Sequence, residues 1–164
     1  MMTLATIEKV IKGWGAVKEG FAAYQTPLKL LEEARKMYPK EYRYTKEHEW
    51  MVFEGNRARF GITHYAQDHL GDVVFVELPS VGRTLKKGES FGVVESVKTV
   101  SDVYAPISGR VVEVNEALTT SPELVNQDPH GKGWMIVVEV ENPAEADDLM
   151  NSEAYEEYLK EAGH

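Results

Sequence analysis

The chain has 164 residues, 43% of them hydrophobic, no cysteine and a formal net charge of −9. This composition fits a soluble, acidic globular protein with one substantial core, and it excludes a disulfide framework, a cysteine-ligated metal site and a cysteine nucleophile. No run of about 18 apolar residues occurs, so no transmembrane helix is predicted, and any sulfur chemistry has to come from a cofactor.

Charge divides the chain. Residues 1–40 carry Lys9, Lys12, Lys18, Lys29, Arg35, Lys36 and Lys40 against Glu8, Glu19, Glu32 and Glu33, a balance of +3, so the remainder carries −12. Residues 1–41 therefore read as a separate, helical N-terminal extension. Ile7, Val10, Ile11, Trp14, Val17 and Phe21 recur at helical spacing, weakened by Gly13, Gly15 and Gly20. After Pro27, a second helix with Leu28, Leu31, Ala34 and Met37 on one face is expected to end before Pro39. The apolar faces favour packing on the rest of the chain. Docking on a partner or a membrane surface and a mitochondrial presequence stay open as alternatives, although Glu8, Glu19 and the lack of arginine before Arg35 argue against the last.

From residue 42 the pattern changes to short β segments. Val52–Phe53 and Arg57–Ile62 read as two strands joined at Glu54-Gly55-Asn56. Thr63 is placed to cap a short helix that runs through Leu70 and stops at Gly71. Val73–Leu78 is a strand ended by Pro79, and Arg83–Leu85 another, turning at Lys87-Gly88. Arg110–Val114 and Trp134–Val140 complete a set of strands at close spacing, the pattern of a sandwich or small barrel. Residues 142–164 read as C-terminal helices packed on the β domain. Asn142 caps the first, Pro143 is its first helical residue, and Leu149 and Met150 follow. Ser152 opens the second, with Tyr155, Tyr158 and Leu159 on one face.

The segment Glu95-Ser96-Val97-Lys98-Thr99-Val100-Ser101-Asp102 carries the chemistry. Phe91, Val93, Glu95 and Val97 alternate with Gly92, Val94 and Ser96, the period of a half-buried strand. Val100, Val103, Tyr104 and Ala105 form the return strand, until Pro106 removes a ladder donor. Lys98 and Thr99 are left to make the bend, and the lysine stem projects into water. A lysine in a turn is ordinarily a solvated charge. Its flanks, with Ala105-Pro106-Ile107-Ser108-Gly109 downstream, resemble the attachment hairpin of lipoyl domains. Biotin carriers normally place methionine on both sides of the lysine, whereas Val97 and Thr99 stand there in this chain.

The resemblance extends to the chain end. Tyr44-Thr45-Lys46-Glu47-His48-Glu49-Trp50, Gly61-Ile62-Thr63 with Ala66-Gln67, and Leu70-Gly71-Asp72-Val73-Val74-Phe75-Val76-Glu77-Leu78-Pro79 precede the hairpin. Ser108-Gly109, Glu113-Val114-Asn115, Leu118, Pro122, Leu124, Asn126 and Gly133-Trp134 follow it. From Tyr42 onward the chain resembles the H proteins of the glycine cleavage system. The resemblance implies a mainly β barrel-sandwich hybrid of two antiparallel sheets over residues 42–141, with flanking helices. It also implies a non-catalytic carrier with lipoate as a covalent amide on Lys98, and Glu95, Val97 and Thr99 as the attachment motif.

In the implied cycle a pyridoxal-phosphate glycine decarboxylase loads the arm with an aminomethyl group. An aminomethyltransferase passes the carbon to tetrahydrofolate, and dihydrolipoyl dehydrogenase reoxidises the dithiol with NAD. A lipoate-attaching enzyme is the fourth partner, no nucleic-acid partner is expected, and the chain is taken as a monomer. The setting implied is cytoplasmic and bacterial in type, or mitochondrial if eukaryotic. Lipoyl donation or another sulfur pathway is the alternative service. By matching motif positions, Glu49 and Asp102 are nominated as carboxylates facing the loaded arm, with Tyr65 in the same cleft where the family often has histidine. His48, His64, His69, His130 and His164 show no metal-ligand spacing, and no metal is expected.

Overall fold

The computed structural model describes residues 38–161, so the helices expected for residues 1–37 lie outside the described residues. Strands β1 (Arg43–Tyr44), β2 (Glu49–Glu54), β3 (Arg57–Ile62), β9 (Ile136–Val140), β8 (Gly109–Val114) and β5 (Thr84–Leu85) form a six-stranded sheet in that spatial order. Strands β4 (Val73–Glu77), β6 (Ser90–Ser96) and β7 (Val100–Tyr104) form a second, three-stranded sheet. All pairings are antiparallel, as the resemblance to a barrel-sandwich hybrid implies.

The alternation in each strand explains the layering. Met51, Ala58, Phe60, Val111, Ile136 and Val138 of the larger sheet pack against Val76, Phe91, Val94 and Val103 of the smaller one. Phe60 and Phe91 meet across the layers with ring centroids 6.0 Å apart. Each such side chain contributes about 1.5–3 kcal/mol on burial, so this shared core makes the sheets one rigid body. The β2–β3 register runs from Glu49↔Ile62 to Glu54↔Arg57, leaving Gly55 and Asn56 as the turn. Gly55 takes the left-handed φ of 67° there.

Helix α1 (His64–Leu70) starts where the sequence places it. The Thr63 hydroxyl accepts from the Ala66 N–H at 3.2 Å, and Gly71 closes the helix at φ 80°. Two further short helices, α2 (Ala117–Thr120) and α3 (Leu124–Gln127), bury Leu118 and Val125 in the main core. The segment after Asn142 differs from expectation: Pro143–Asp148 is a 3-10 helix, and Met150 is extended, bridging to Tyr44. Asn142 still caps it, accepting from the Ala144 N–H. Helix α4 (Ser152–Glu161) then lays Tyr155 flat on Tyr44, centroids 4.8 Å apart and planes within 8°. Among the described residues, no helix is long and apolar enough to cross a membrane.

Candidate functional site

The β6–β7 hairpin ends in a three-residue loop, Val97-Lys98-Thr99, one residue longer than the sequence pattern suggests. Ser96 makes this loop possible. Its hydroxyl donates to the Thr99 carbonyl at 3.2 Å and accepts from the Lys98 and Thr99 N–H groups at 3.3 and 3.1 Å, while its own N–H donates to the Thr99 carbonyl. One hydroxyl has one donor and two acceptor sites, and all three are engaged at the tip. The Val97 N–H reaches the Asp72 carbonyl at 3.1 Å, tying the loop to the α1–β4 connection. Lys98 is exposed, and its stem passes Gly71 closely enough that a Cβ there would lie 3.5 Å from Lys98 Cε. The lysine at the bend is thus offered to solvent from an anchored base.

The simple alternation proposed for β6 needs one correction. Its register shifts between Ser90 and Gly92, so Phe91 turns inward and is buried, although Glu95 and Val97 of its nominal face are exposed. A bulge inserts one unpaired residue and reverses the side of the sheet that its neighbours face. Val97 lies past the end of β6, in the loop, and is 71% exposed.

Beside Lys98 opens a groove of about 400 Å³ lined by Glu47, His48, Glu49, Ile62, Tyr65, Ala66, His69, Leu70, Val94 and Thr99–Val103. The three residues nominated for an arm cleft, Glu49, Tyr65 and Asp102, all line it. They come from β2, α1 and β7, so only the fold brings them together. Asp102 is exposed and accepts from the Ser90 hydroxyl at 3.1 Å.

Glu49 is buried instead of being a solvated acid. Its Oε1 accepts from the Thr45 hydroxyl at 2.5 Å, and Oε2 from the Tyr104 N–H at 3.4 Å. Burial pushes its carboxyl up from 4.5 to about 7, with the Thr45 and Tyr104 bonds opposing. A carboxyl of that kind waits near neutrality for a cation to complete its ionisation.

Tyr65 is buried, stacked on His69 at 4.0 Å and against His48 at 4.4 Å. His69 and His48 are the groove histidines that the sequence reading missed. The signal for His69 was its spacing, four residues after Tyr65 on one helix face. His48 had no local signal, because it sits at φ 72°, held by its N–H to the Thr45 carbonyl and by its carbonyl accepting from Thr63 N–H. His64, adjacent to Tyr65, turns away from the groove: its backbone N–H meets His130 Nε2 at 3.3 Å and its ring meets Gln67. The attachment motif divides likewise, with Thr99 on the groove and Glu95 and Val97 facing out. Among the described residues, no three His, Asp or Glu side chains are grouped to hold a metal ion.

The chain that carries this lysine, groove and buried acid is similar to known proteins over most of its length. The family model described as "Glycine cleavage H-protein" covers residues 42–162. The chain is 62% identical over 123 residues to the "Glycine cleavage system H protein" of Symbiobacterium thermophilum, covering 75% of this chain and 96% of that protein. It is 60% identical over 123 residues to the Bacillus subtilis protein of the same name, covering 75% and 97%. A crystal structure of a glycine cleavage system H protein from Mycobacterium marinum superposes with a TM-score of 0.67 at 41% identity, covering 77% of this chain and 99% of that one. With its two sheets, its hairpin lysine and these relatives, the chain belongs to the glycine cleavage H-protein family.

Proposed function

We propose that Lys98 carries lipoate as an amide. The chain then shuttles the aminomethyl group of glycine between the decarboxylase, the aminomethyltransferase and dihydrolipoyl dehydrogenase. It is a carrier and not a catalyst. The observation that carries this reading is Lys98 itself: exposed on a loop that the Ser96 hydroxyl pins with three hydrogen bonds, beside a groove rich in side chains able to receive an arm. The dithiolane supplies the reversible sulfur chemistry, and tethering raises the local concentration of the reacting group into the mM range.

The chain's own residues supply position and shelter. The hairpin gives the attaching enzyme a lysine at a fixed place, because its base is bonded to the α1–β4 connection as well as to itself. Tyr65, Ile62 and Val94 give the groove an apolar wall that excludes water, and Glu49 and Asp102 give it acid character. An ammonium group in the groove would draw the Glu49 proton off and pair with the resulting carboxylate. Residues 42–141 are then the carrier domain, with 142–164 as a C-terminal segment whose helix through Glu161 packs on it by Tyr155, and 1–41 as an extension. The bacterial relatives support a cytoplasmic setting.

Expression with a lipoate-attaching enzyme, followed by intact-mass measurement, tests the assignment. The parent chain is expected to gain one lipoyl increment, and Lys98→Arg none. An increment that survives in Lys98→Arg would place the arm elsewhere. Glycine-dependent CO2 exchange with the decarboxylase then separates aminomethyl transport from lipoyl donation to other clients.

A further inference from the structure

The outer face of the three-stranded sheet is apolar where a free surface is ordinarily polar. The register aligns Phe75, Glu95 and Val100 across β4, β6 and β7, and cross-strand partners share a face. Phe75 is 52% exposed and Val100 62%. Val97 follows Glu95 by two residues and is more exposed still, and the register shift between Val73 and Phe75 leaves Val74 unpaired and outward as well. Four apolar side chains therefore surround Glu95 within a few residues of Lys98, with exposed Asp72 and Asp102 at the margin. Burying these groups in the protein's own core would have been favourable, and a contiguous apolar patch with a polar rim marks a contact surface.

We infer that this face is the docking surface of the lipoate-attaching enzyme, which meets it with an apolar centre and a basic rim. The inference rests on the reading of Lys98 given above. Geometry selects the occupant. An unmodified lysine ends its reach four methylenes from the backbone, so an enzyme that forms the amide at Nζ has to cover the surface on which the lysine stands. An enzyme that acts on the sulfurs works at the end of a much longer arm and has no such constraint. The acidic margin matches a basic rim on the partner, which already has to handle a carboxylate substrate.

The test compares two reactions on the full chain. Phe75→Ser and Val74→Ser change the face at two exposed positions of β4, neither of which lines the groove, and Val81→Ser is the control, an exposed valine in the turn beyond the far end of β4. Lipoate attachment is followed by intact mass with a lipoate ligase, lipoic acid and ATP. Each chain is then brought to full modification with excess ligase, and its reduction by dihydrolipoyl dehydrogenase is measured. Either face variant is expected to lower kcat/KM for attachment by about ten-fold or more. Dehydrogenase turnover, thermal midpoint and the Val81→Ser control should stay at the parent's level.

Attachment within about two-fold of the parent in both variants overturns the inference. So does an equal loss in both reactions, which would make the face a general contact or a folding determinant. A parent that acquires no lipoate overturns the reading of Lys98 and this inference with it. A modified parent with unaffected variants overturns this inference alone.

Discussion

Ser96 shows how much one hydroxyl decides at a turn. Its side chain is buried, and it organises the three loop residues by one donated and two accepted hydrogen bonds. Ser96→Ala leaves the Lys98 and Thr99 N–H groups without that acceptor. The expected cost is about 1–3 kcal/mol, read from urea unfolding, together with slower lipoate attachment as the tip loosens. Unchanged attachment would show that the loop keeps its shape without the serine.

Glu49 yields a pH prediction of definite sign. Its folded-state pKa is raised from 4.5 to about 7, chiefly by burial. The folded protein therefore holds a proton that the unfolded chain has released. Stability from this group is complete below the unfolded value and is lost as pH rises through the folded one, a swing of roughly 3 kcal/mol. In Glu49→Gln the unfolding midpoint should lose that slope between about pH 4.5 and about pH 7. Parallel profiles for the two proteins would mean that the carboxyl is not perturbed. The same titration bears on the groove: with the carboxyl neutral below about pH 7, it holds a cationic arm less well.

At the scale of elements, close backbone approach decides what the strands tolerate. A Cβ on Gly92 would sit 2.5 Å from the Glu77 carbonyl oxygen, because the β6 bulge presses the strand against the end of β4. Gly92→Ala should destabilise the fold by about 1–3 kcal/mol through overpacking. It changes nothing at the tip, so thermal midpoint and attachment rate, measured together, should separate. A proportional loss of both would show that the whole hairpin is strained as one piece.

The elements legible in sequence were those with local chemistry: the Thr63 cap, the Gly71 stop, the Gly55 turn and the Asn142-Pro143 start. The bulges in β4 and β6 were not legible, because a bulge depends on which residue of the partner strand lies opposite. The 3-10 geometry after Pro143 was missed for a similar reason. Ala146 is drawn into the main core, and Glu145 bonds the Ser108 N–H and hydroxyl at 2.9 and 3.0 Å, which tightens the turn.

For the whole molecule, a second core of aromatic residues fastens the C-terminal helix to the entry strands. Tyr155 is fully buried, stacks on Tyr44, and shares its hydroxyl with Thr63 Oγ1 and His48 Nδ1, each at 2.8 Å. Tyr38 joins the same cluster, and burial raises all three phenols far above their ordinary value, so they remain neutral hydrogen-bonding groups. Tyr155→Ala should cost about 3–5 kcal/mol, the range for losing a large buried aromatic ring. Tyr155→Phe removes only the hydroxyl bonds and should cost about 1–3 kcal/mol. Comparing the two by urea unfolding checks the division. Equal losses would mean that the bonds to Thr63 and His48 outweigh the stacking.

The sequence by itself determined the β class, the succession of strand segments along the chain and the lysine at the bend, because period-two alternation, turn glycines and capping residues act between near neighbours. It also named Glu49, Tyr65 and Asp102, but only through their likeness to a family pattern. The tertiary structure decided that these three residues from β2, α1 and β7 share one groove, that burial brings Glu49 toward neutrality, and that an apolar face stands outward beside Lys98. Those properties depend on which strand lies opposite which and on how much water is excluded between them, and neither quantity is local in the chain.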